Sequence, residues 1–562
     1  MVTTNGTANG AANGHHNYQN GHSNGNGYSN GHSQSRQRSG YTEAETRLIV
    51  NSPLVKTTEN GVLESTYVYR KNHFEQTEEG LRVTPKEHAY HFKTHLKPRK
   101  TGVLLVGIGG NNGSTAVGSI FANRKNMSWR TKDGVQTANY FGSVTQASTV
   151  HLGWNGEEQI YVPFKDIIPI LSPSDLIIDG WDINSANLYE ACQRARVFEP
   201  ELQDQLRPFL EPITPMPSIY YPDFIAANQG NRANNVIPGS NKQEHLQHIR
   251  NDIRNFKEKH QLDCVIVLWT ANTERYTDVR AGLNTTAEEV LDSIKNNEDE
   301  VSPSNIFAVA SILEGAHYIN GSPQNTLVPG IIQLAEKHNV FVGGDDFKSG
   351  QTKFKSALVD FLVSSGLKPE SIVSYNHLGN NDGKNLSEAR QFRSKEISKS
   401  SVVDDMVESN RILYPESKNP DHTIVIKYVP FVGDSKRAMD EYICSIFMGG
   451  KQTFVIHNTC EDSLLATPLI YDLVILTELA SRISYSTDNE NYRQFHSVLS
   501  VLSLLLKAPV VPSGTPVGNA FMRQFLTLTK LVTVLAGVSS DSEIQLEFFA
   551  PSNTEGKDKV AV

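Results

Sequence analysis

The sequence predicts an α/β protein in which a parallel sheet covered by helices is interrupted by an inserted α+β domain. Apolar β-like runs alternate with helix-like segments between about residues 100 and 350, which is the pattern of a sheet whose crossover connections are helices. The composition turns polar after about residue 352, and long apolar helical segments return near residue 465. We therefore assign residues 41–352 and 465–562 to the sheet domain with its flanking elements, and residues 353–464 to the inserted domain.

The composition is typical of a soluble globular protein. The chain has 562 residues, more than one ordinary hydrophobic core organises, and 38% of them are hydrophobic while 20% are charged. The formal net charge of −9 gives no electrostatic reason to expect nucleic acid or an anionic membrane as a partner. The four cysteines form no C-x-x-C pair, and we interpret them as reduced thiols.

Residues 1–40, rich in Asn, Gly, His and Ser, are predicted to form a disordered tail. So few apolar side chains cannot offset the entropy that ordering would cost. The histidine spacing in the tail fits no structural metal site, and we predict no functional metal. The first residues lack the features of a secretory signal, and no apolar run approaches the ~20 residues of a membrane-spanning helix. We therefore expect a cytoplasmic protein.

The predicted parallel strands share one feature, because each apolar run ends in small polar residues. Ligands of open α/β sheets bind beyond the carboxyl ends of the strands, so these polar segments are expected to converge on one crevice. Residues 45–100 are predicted to be strands or loops that flank this sheet. The predicted strands are Val103–Val106, Leu176–Ile178, Val265–Trp269, Ile306–Ala310 and Val340–Val342.

The first strand leads into the glycine-rich turn GIGGNNGS. Gly107 and Gly109 occupy the first two positions of the dinucleotide fingerprint G-x-G-x-x-G, but Asn112 stands at the last position and Gly113 follows one residue late. A strand before the turn and a helix-compatible segment after it are the context in which backbone N–H groups hold a pyrophosphate. An ordinary strand-to-helix turn is the alternative.

The choice between NAD and NADP depends on the end of the second strand. The acid that usually binds the NAD ribose ~20 residues after the turn is missing, and Arg124 and Lys125 nearby would suit the 2′-phosphate of NADP. However, residues 139–154 have the character of an insertion between the first two strands, and the next strand end carries Asp179 and Asp182. We therefore favour NAD.

The region after residue 352 combines strand-like segments with lysine-rich motifs. Lys395 and Lys399 are four residues apart, so on a helix they share a face and repel by ~0.2–0.5 kcal/mol. They form either a solvated face with Arg393 and Glu396 or an anion site. Lys507 is the last residue of an apolar predicted helix, where it either complements the helix C-terminus or, if buried, transfers protons near neutral pH. Strands are predicted within 371–383, 422–436 and 452–463, and helices at 463–483, 495–507 and 521–538.

A series of motifs follows in order along the chain. They are GIGGNNGST, NYFGS, GWDIN, PSIYYPDFIAANQ, LWTANTERY, NGSPQN, GDDFKSGQT, SYNHLGNNDG, FRSKEISKSS, GDSKRAMDEY and CEDSLLATP. Together these motifs resemble those of the eukaryotic myo-inositol-1-phosphate synthase family. The resemblance extends from about residue 45 to 550, and the asparagine-rich turn belongs to the family pattern. It implies a Rossmann-like NAD-binding domain, an inserted catalytic and tetramerisation domain, and a homotetramer.

The resemblance also implies a reaction. D-Glucose 6-phosphate is converted into 1D-myo-inositol 3-phosphate, the first committed step of inositol biosynthesis. Bound NAD oxidises C5, a base removes a proton from C6, an intramolecular aldol step closes the ring onto C1, and C5 is reduced again. Net redox is zero, so such an enzyme is an isomerase. The substrate phosphate is itself a candidate base at C6.

By motif matching, the resemblance assigns roles to residues of this chain. Lys395 and Lys507 are expected to stabilise oxyanions and relay protons, and the expected catalytic group also contains Lys399, Lys436 and Asp346. Substrate contacts are expected from Ser349, Lys399, Lys436, Asp382 and Asp462. Cofactor contacts are expected from Gly110, Asn111, Asn112, Gly113, Asp182, Ser218, Ile219, Gln229, Arg232, Thr270, Ala271, Asn272, Thr273, Ser322, Asp346, Ser349, Asn380, Asn381, Asp382, Lys395, Asp434 and Asp462.

Two other interpretations compete with the isomerase. A sugar-phosphate dehydrogenase would release NADH, and the glycine turn alone is compatible with that activity. A catalytically inactive NAD-binding scaffold is the second, although the lysines argue against it. The individual acid and base assignments, any stimulating cation, the role of the tail and regulation are not determined by the sequence.

Overall fold

The computed structural model describes residues 48–416 and 418–538; the predicted tail, residues 1–40, lies outside them. The first elements are three antiparallel strands that flank the main sheet. The second and third pair along their full 16 residues and form a long hairpin whose outer part is exposed. These strands are β1 (Val55–Thr57), β2 (Val62–Thr77) and β3 (Gly80–His95).

The first half of the main sheet follows. Two small hairpins lie between its first two strands, where the sequence predicted an insertion at residues 139–154 without assigning its structure. The elements in chain order are β4 (Thr101–Val106), α1 (Asn111–Arg124), β5 (Ser128–Thr131), β6 (Gly134–Thr137), α2 (Val144–Ala147), β7 (Thr149–Trp154), β8 (Gln159–Pro163), α3 (Phe164–Ile167), β9 (Ile177–Asp182), α4 (Leu188–Ala195), α5 (Pro200–Leu210) and β10 (Met216–Pro217).

The second half begins with a long crossover helix. Its elements are α6 (Lys242–His260), β11 (Cys264–Trp269), α7 (Ala287–Lys295), α8 (Pro303–Leu313), β12 (His317–Asn320), α9 (Pro329–His338) and β13 (Val342–Gly343).

The six strands of the main sheet run parallel in the order β10-β9-β4-β11-β12-β13. This is the 3-2-1-4-5-6 order of a dinucleotide-binding Rossmann fold, whose ligand crevice lies where the order reverses. Here that point is the boundary between β4 and β11. Hydrophobic cores lie on both faces of the sheet, as alternate residues of β4 and β11 belong to separate clusters.

The inserted region builds a second sheet against one end of the first. Its strand order is β15-β14-β16-β17, in which β14 and β15 are parallel and the other pairs antiparallel. The elements are α10 (Gly350–Ser364), β14 (Lys368–Leu378), α11 (Asn381–Asn385), α12 (Ala389–Ser400), α13 (Asp404–Glu408), β15 (Asp421–Tyr428), β16 (Ser435–Ser445) and β17 (Lys451–Glu461).

The chain then returns to the first sheet through α14 (Asp462–Ser481), β18 (Ile483–Ser486) and α15 (Phe521–Ala536). Among the described residues, α14 is the one helix long and apolar enough to cross a membrane by length and composition, contrary to the expectation that no run approaches that length. However, 89% of its most apolar window is buried inside the protein. Its carboxylates Asp472 and Glu478 are hydrogen-bonded within the core, as expected for a core helix.

Two predicted elements were wrong. Residues 306–310, predicted as a strand, belong to α8, which starts at a capping box formed by Ser302 and Asn305. Every residue from Pro303 to Ile312 is buried, and a fully buried apolar run has no periodicity to separate helix from strand. The predicted helix at 495–507 is a short 3-10 helix, Ser500–Leu505, and Lys507 lies in a bend two residues after its end.

The four cysteines are free thiols, as the sequence predicted. Cys192, Cys264 and Cys444 are buried and Cys460 is half-buried. Burial raises the pKa of the Cys192 thiol to about 12, so this thiol stays protonated at neutral pH.

Candidate active site

The glycine turn joins β4 to α1 and explains the late glycine. Gly107 has φ of +89°, a left-handed conformation that favours glycine. A Cβ built on Gly113 would lie 2.4 Å from the Ile108 carbonyl oxygen and 2.6 Å from that of Gly107. The first turn of α1 therefore packs directly on the backbone of the preceding loop. Gly113 thus does the steric work of the third fingerprint glycine, one residue later than usual.

Asp182, at the end of β9, fixes this turn from the neighbouring strand. Its carboxylate accepts hydrogen bonds from the Gly109 N–H at 3.0 Å and from the Asn184 N–H at 2.9 Å. Burial raises the pKa of Asp182. Arg194 on α4 donates to the Gly109 carbonyl at 2.6 Å. The acid that the sequence placed late in the chain is thus brought beside the turn, because β9 pairs with β4.

The turn has the features that hold a dinucleotide pyrophosphate. The first helical turn of α1 has neither a side-chain cap nor an acidic residue, so its backbone N–H groups are available to an anion. A side chain at Gly107 would reach within 2.6 Å of the Ala271 Cα, so the turn also packs closely on the loop after β11. The residues present therefore fit NAD.

Polar side chains join the two sheets across the crevice. The Thr273 N–H donates to Asp382 at 3.0 Å. Asn381 donates to Asn272 at 3.2 Å and to Gln229 at 2.8 Å. These bonds place the start of α11 against the loop after β11, so the inserted region closes the crevice over the predicted cofactor side.

A buried carboxylate, Asp346, organises the lysines. Its Oδ1 accepts from Lys395 Nζ at 2.8 Å and from Lys507 Nζ at 3.1 Å, and its Oδ2 accepts from Ser398 Oγ at 2.7 Å. Burial acts against the charge of Asp346, but the two ammonium groups dominate and hold its pKa below the usual range. One aspartate therefore holds the two lysines that were expected to stabilise oxyanions and relay protons.

Local backbone pairing places Lys507 beside Asp346. The Lys507 N–H donates to the Asp346 carbonyl at 2.7 Å, and Ala508 and Asp345 exchange two backbone bonds alongside it. This pairing holds Lys507 against residues 345 and 346, so it does not complement the C-terminus of a long helix. Lys507 is buried, 4% exposed.

The two lysines on Asp346 differ in proton affinity. Burial would lower the pKa of Lys395, but Asp346 and Asp382 outweigh it and raise the pKa. For Lys507 burial dominates, Asp346 opposes it, and the positive charges of Lys395 and Lys436 add to it, so the pKa falls to about 7. Two groups whose pKa values are pushed apart are suited to different roles in one reaction.

A second ion pair also lines the crevice. Lys436 Nζ is 3.3 Å from Asp462 Oδ1 at the start of α14. Burial opposes the charge of Asp462, but Lys436, Lys507 and Lys395 together lower its pKa. Asp434 accepts from Ser463 at 2.8 Å and from Asn111 at 3.1 Å. Asn111 belongs to the glycine turn, so this network links the lysines to the cofactor side.

Lys399 is buried without a salt bridge in the described part of the chain. Its Nζ donates to Asn376 Oδ1 at 3.0 Å, and the side chain is 4% exposed. Burial and then the neighbouring cations, led by Lys436 and Lys507, bring its pKa well below the usual value. An excess of buried positive charge favours an anionic ligand.

One crevice gathers most of the predicted residues. It encloses about 1240 Å³ of space between atoms, a figure that includes its open mouth. The predicted residues lining it are Gly110, Asn111, Asn112, Asp182, Ser218, Ile219, Arg232, Thr270, Ala271, Asn272, Thr273, Ser322, Asp346, Ser349, Asn380, Asn381, Asp382, Lys395, Lys436, Asp462 and Lys507.

Four predicted residues stand behind this lining. Gly113 supports the turn, Asp434 holds Asn111, and Lys399 bonds to Asn376. Gln229 accepts a hydrogen bond from Arg232 at 3.2 Å. The list of expected contacts omitted further wall residues, although all of them except Arg194 lie within the collinear motifs or the first predicted strand. They are Val106, Gly107, Ile183, Arg194, Ile225, Trp269, Gly321, Pro323, Phe347 and Ala466.

Among the described residues, no group of three or more His, Cys, Asp or Glu side chains could hold a metal ion. The carboxylates of the crevice are instead engaged with lysines, backbone N–H groups and hydroxyls.

Comparison with known proteins identifies close relatives. A family model described as "Myo-inositol-1-phosphate synthase" matches residues 101–533. The inositol-3-phosphate synthase isozyme 1 of Arabidopsis thaliana is 56% identical over 506 residues, covering 89% of this chain and 98% of the relative. The inositol-3-phosphate synthase 1-B of Xenopus laevis is 57% identical over 499 residues, covering 89% and 88%.

Solved structures agree with this result. The crystal structure of the inositol-3-phosphate synthase of Caenorhabditis elegans has 78% sequence identity and a TM-score of 0.89, and the match covers 90% of this chain and 99% of that one. A myo-inositol-1-phosphate synthase-related protein of Thermotoga maritima, 20% identical with a TM-score of 0.55, covers 77% and 98% and shows a shared fold alone.

Proposed function

Because this chain belongs to the myo-inositol-1-phosphate synthase family, we propose that the crevice between its two sheets carries out the family's reaction with the lysines around Asp346. The chain is an NAD-dependent isomerase that converts D-glucose 6-phosphate into 1D-myo-inositol 3-phosphate in inositol biosynthesis. The observation that carries the proposed site is the pair Lys395 and Lys507 on one carboxylate oxygen, beside a turn that fits NAD.

The cofactor side of the proposal rests on the glycine turn. When bound, NAD supplies the hydride acceptor and donor for C5 of the sugar. The N-terminus of α1 would hold the pyrophosphate, and Asp182 would face the cofactor from the end of β9. The loop from Thr270 to Thr273, tied to α11 through Asp382, would exclude water from the reacting carbon.

We assign different tasks to the two lysines on Asp346. Lys395 keeps its proton, because its pKa is raised, so it suits the stabilisation of an oxyanion at C5 or C1. Lys507, with a pKa near 7, is poised to take up and return a proton at the same oxygen. Asp346 orients both ammonium groups and balances their charge.

The phosphate of the substrate would bind where the buried positive charge is in excess. Lys399 and Lys436 supply the cations, and Ser349 stands at the N-cap of α10 with no side-chain cap bond of its own. The 15-residue helix α10 directs its positive end to the same place. Asp382 and Asp462 would accept hydrogen bonds from sugar hydroxyls, while Asp434 holds the turn through Asn111.

We also propose that the inserted region, residues 353–464, is the catalytic and oligomerisation domain, and residues 41–352 and 465–562 the NAD-binding part. The outer face of the second sheet exposes Tyr375 and Val455, 49% and 71% accessible. Among the described residues, the strand β17 pairs with β16 alone and leaves a long free edge, which is a surface that another strand can pair with. A shared sheet in a homotetramer would cover both. Light scattering would measure this oligomeric state, and a monomer would contradict it. We place the enzyme in the cytoplasm.

Incubation with D-glucose 6-phosphate and a catalytic amount of NAD tests the reaction. We expect inositol phosphate to form in large excess over NAD, with no build-up of NADH absorbance, because the hydride returns to C5. Steady accumulation of NADH without inositol phosphate would instead identify a sugar-phosphate dehydrogenase.

A further inference from the structure

A second buried lysine lies behind the proposed phosphate site. Lys355 on α10 is 3% exposed, and its Nζ lies 2.6 Å from Ser374 Oγ and 2.9 Å from His422 Nε2. Both partners are uncharged, and neither Lys355 nor His422 lines the crevice. A buried ammonium group costs free energy unless it is hydrogen-bonded. These two contacts therefore help to keep Lys355 in its buried position.

The hydrogen bonds fix the tautomer of His422. Its Nδ1 lies 3.3 Å from the Ser400 carbonyl oxygen, which can only accept, so Nδ1 carries the proton. Its Nε2 then has a free lone pair that accepts from the Lys355 ammonium. Burial, followed by the charge of Lys355, lowers the pKa of His422 to about 3. The imidazole therefore stays neutral over the working pH range and keeps both bonds.

The hydrogen-bond partners of His422 and Lys355 lie close in sequence to Lys399 and to its own hydrogen-bond acceptor. Ser400 follows Lys399 at the end of α12. Ser374 is two residues before Asn376 on β14, on the same face of the strand, and Asn376 accepts from Lys399 Nζ at 3.0 Å. The contacts therefore close a loop through α10, β14, α12 and β15 around one ammonium group.

We propose that Lys355 and His422 form a strut that positions Lys399 for the substrate phosphate. The strut rests on the proposed function, in which Lys399 contacts that phosphate. Lys355 and His422 are positioning residues, since they act through Lys399 and touch neither substrate nor cofactor. Substitution of Lys355 or His422 leaves the charge of Lys399 in place but lets the Lys399 ammonium group move.

The position of the strut predicts which kinetic constant changes. Lys395 lies one helical turn before Lys399 and is held separately by Asp346, so the chemical step should be little affected. Loss of ground-state phosphate binding raises KM with kcat almost unchanged. We expect KM for D-glucose 6-phosphate to rise roughly tenfold, kcat to stay within about threefold, and NAD affinity to be unchanged.

Substitutions at His422 test the strut with a matched pair. His422→Leu keeps bulk but removes both hydrogen bonds, whereas His422→Gln retains one donor and one acceptor. We expect the high KM in His422→Leu, a KM within about threefold of the parent enzyme in His422→Gln, and the high KM again in Lys355→Met. Tyr414→Phe is the control, because it removes a buried bond to the Pro369 carbonyl in the same layer away from α12.

Thermal unfolding of each variant separates positioning from general loosening. Tyr414→Phe is expected to lower the unfolding temperature without changing KM. A folded His422→Leu protein with unaltered KM, or an equal rise in KM in Tyr414→Phe, overturns the strut. If Lys355→Met does not fold, the comparison of His422→Leu with His422→Gln still tests the strut, because His422 is only half-buried. Product analysis of the parent enzyme tests the proposed function separately, since a failed strut leaves inositol phosphate formation intact.

Discussion

The glycine turn and the lysine cluster are two halves of one crevice built in opposite ways. The turn is a continuous segment, residues 107–114, and works through backbone atoms and the absence of side chains. The cluster joins Asp346, Lys395 and Lys507 from three distant segments and works through charge. The first should therefore be damaged by adding atoms, and the second by removing charges.

Lys395→Ala should produce the largest effect. It removes a fixed ammonium group from the proposed oxyanion site, and we expect inositol phosphate formation to fall roughly 10³-fold while NAD affinity stays within about threefold. Product assay and calorimetric NAD titration measure the two. Arg393→Ala is the matched control, because Arg393 lies on the same helix, exposed, and pairs with Glu396. Near-normal turnover in Lys395→Ala would refute the assigned role.

The pH profile should sharpen the contrast between the two lysines. Burial, opposed by Asp346 and aided by Lys395, lowers the pKa of Lys507 to about 7. Below that pH the amine is protonated and cannot accept a proton, so kcat should fall about tenfold per pH unit. The arginine of Lys507→Arg stays charged, so this variant should lose most of the activity. Its remaining kcat should no longer fall as the pH drops below about 7. A flat kcat profile through the acidic range would exclude Lys507 as the base.

Gly113→Ala should damage the turn by adding one carbon. Its Cβ would lie 2.4 Å from a backbone oxygen, so the loop or the helix must shift. We expect NAD affinity to fall roughly tenfold and the unfolding temperature to drop. Gly518→Ala is the control, since its Cβ would meet nothing closer than Asp405 at 4.0 Å. Unchanged NAD binding in a folded Gly113→Ala protein would show that the turn tolerates a side chain.

Asn111→Ala should have the smallest effect, and it tests how separate the two halves are. It removes the bond from the turn to Asp434, while Ser463 still donates to that carboxylate. Loss of one such bond corresponds to about 1 kcal/mol, so we expect about a fivefold change in both NAD affinity and KM. A change in only one of the two would mean that the halves are not coupled through Asn111.

Local patterns predicted the parallel strands at 103–106, 176–178, 265–269 and 340–342, and the order of the layers. They failed for residues 306–310, because the buried helix α8 and a buried strand present the same continuous apolar run. They also failed for the segment before Lys507. There, Val342 donates to the Ser497 carbonyl and accepts from the Leu499 N–H, and tertiary pairing of this kind replaces the backbone hydrogen bonds of a helix.

For the site, motif resemblance selected residues that the fold brings into one crevice, but it could not assign their states. Lys395 and Lys399 look equivalent in sequence, four residues apart on one helix. Asp346 keeps the first charged, whereas the second faces only Asn376 among its described hydrogen-bond partners. No local pattern indicated Lys355 or His422. Their proposed role depends on the contact of His422 with Ser400 and on the hydrogen bond from Lys399 to Asn376.

The sequence by itself determined the fold class, the cofactor turn and the family, because each depends on the order and size of neighbouring residues. Only the tertiary structure decided which lysine remains charged, which is poised near neutrality, and why Gly113 stands one residue late. Proton affinity depends on burial and on charges within a few ångströms. Those charges come from segments as far apart as residues 346 and 507, and only folding sets the distances between them.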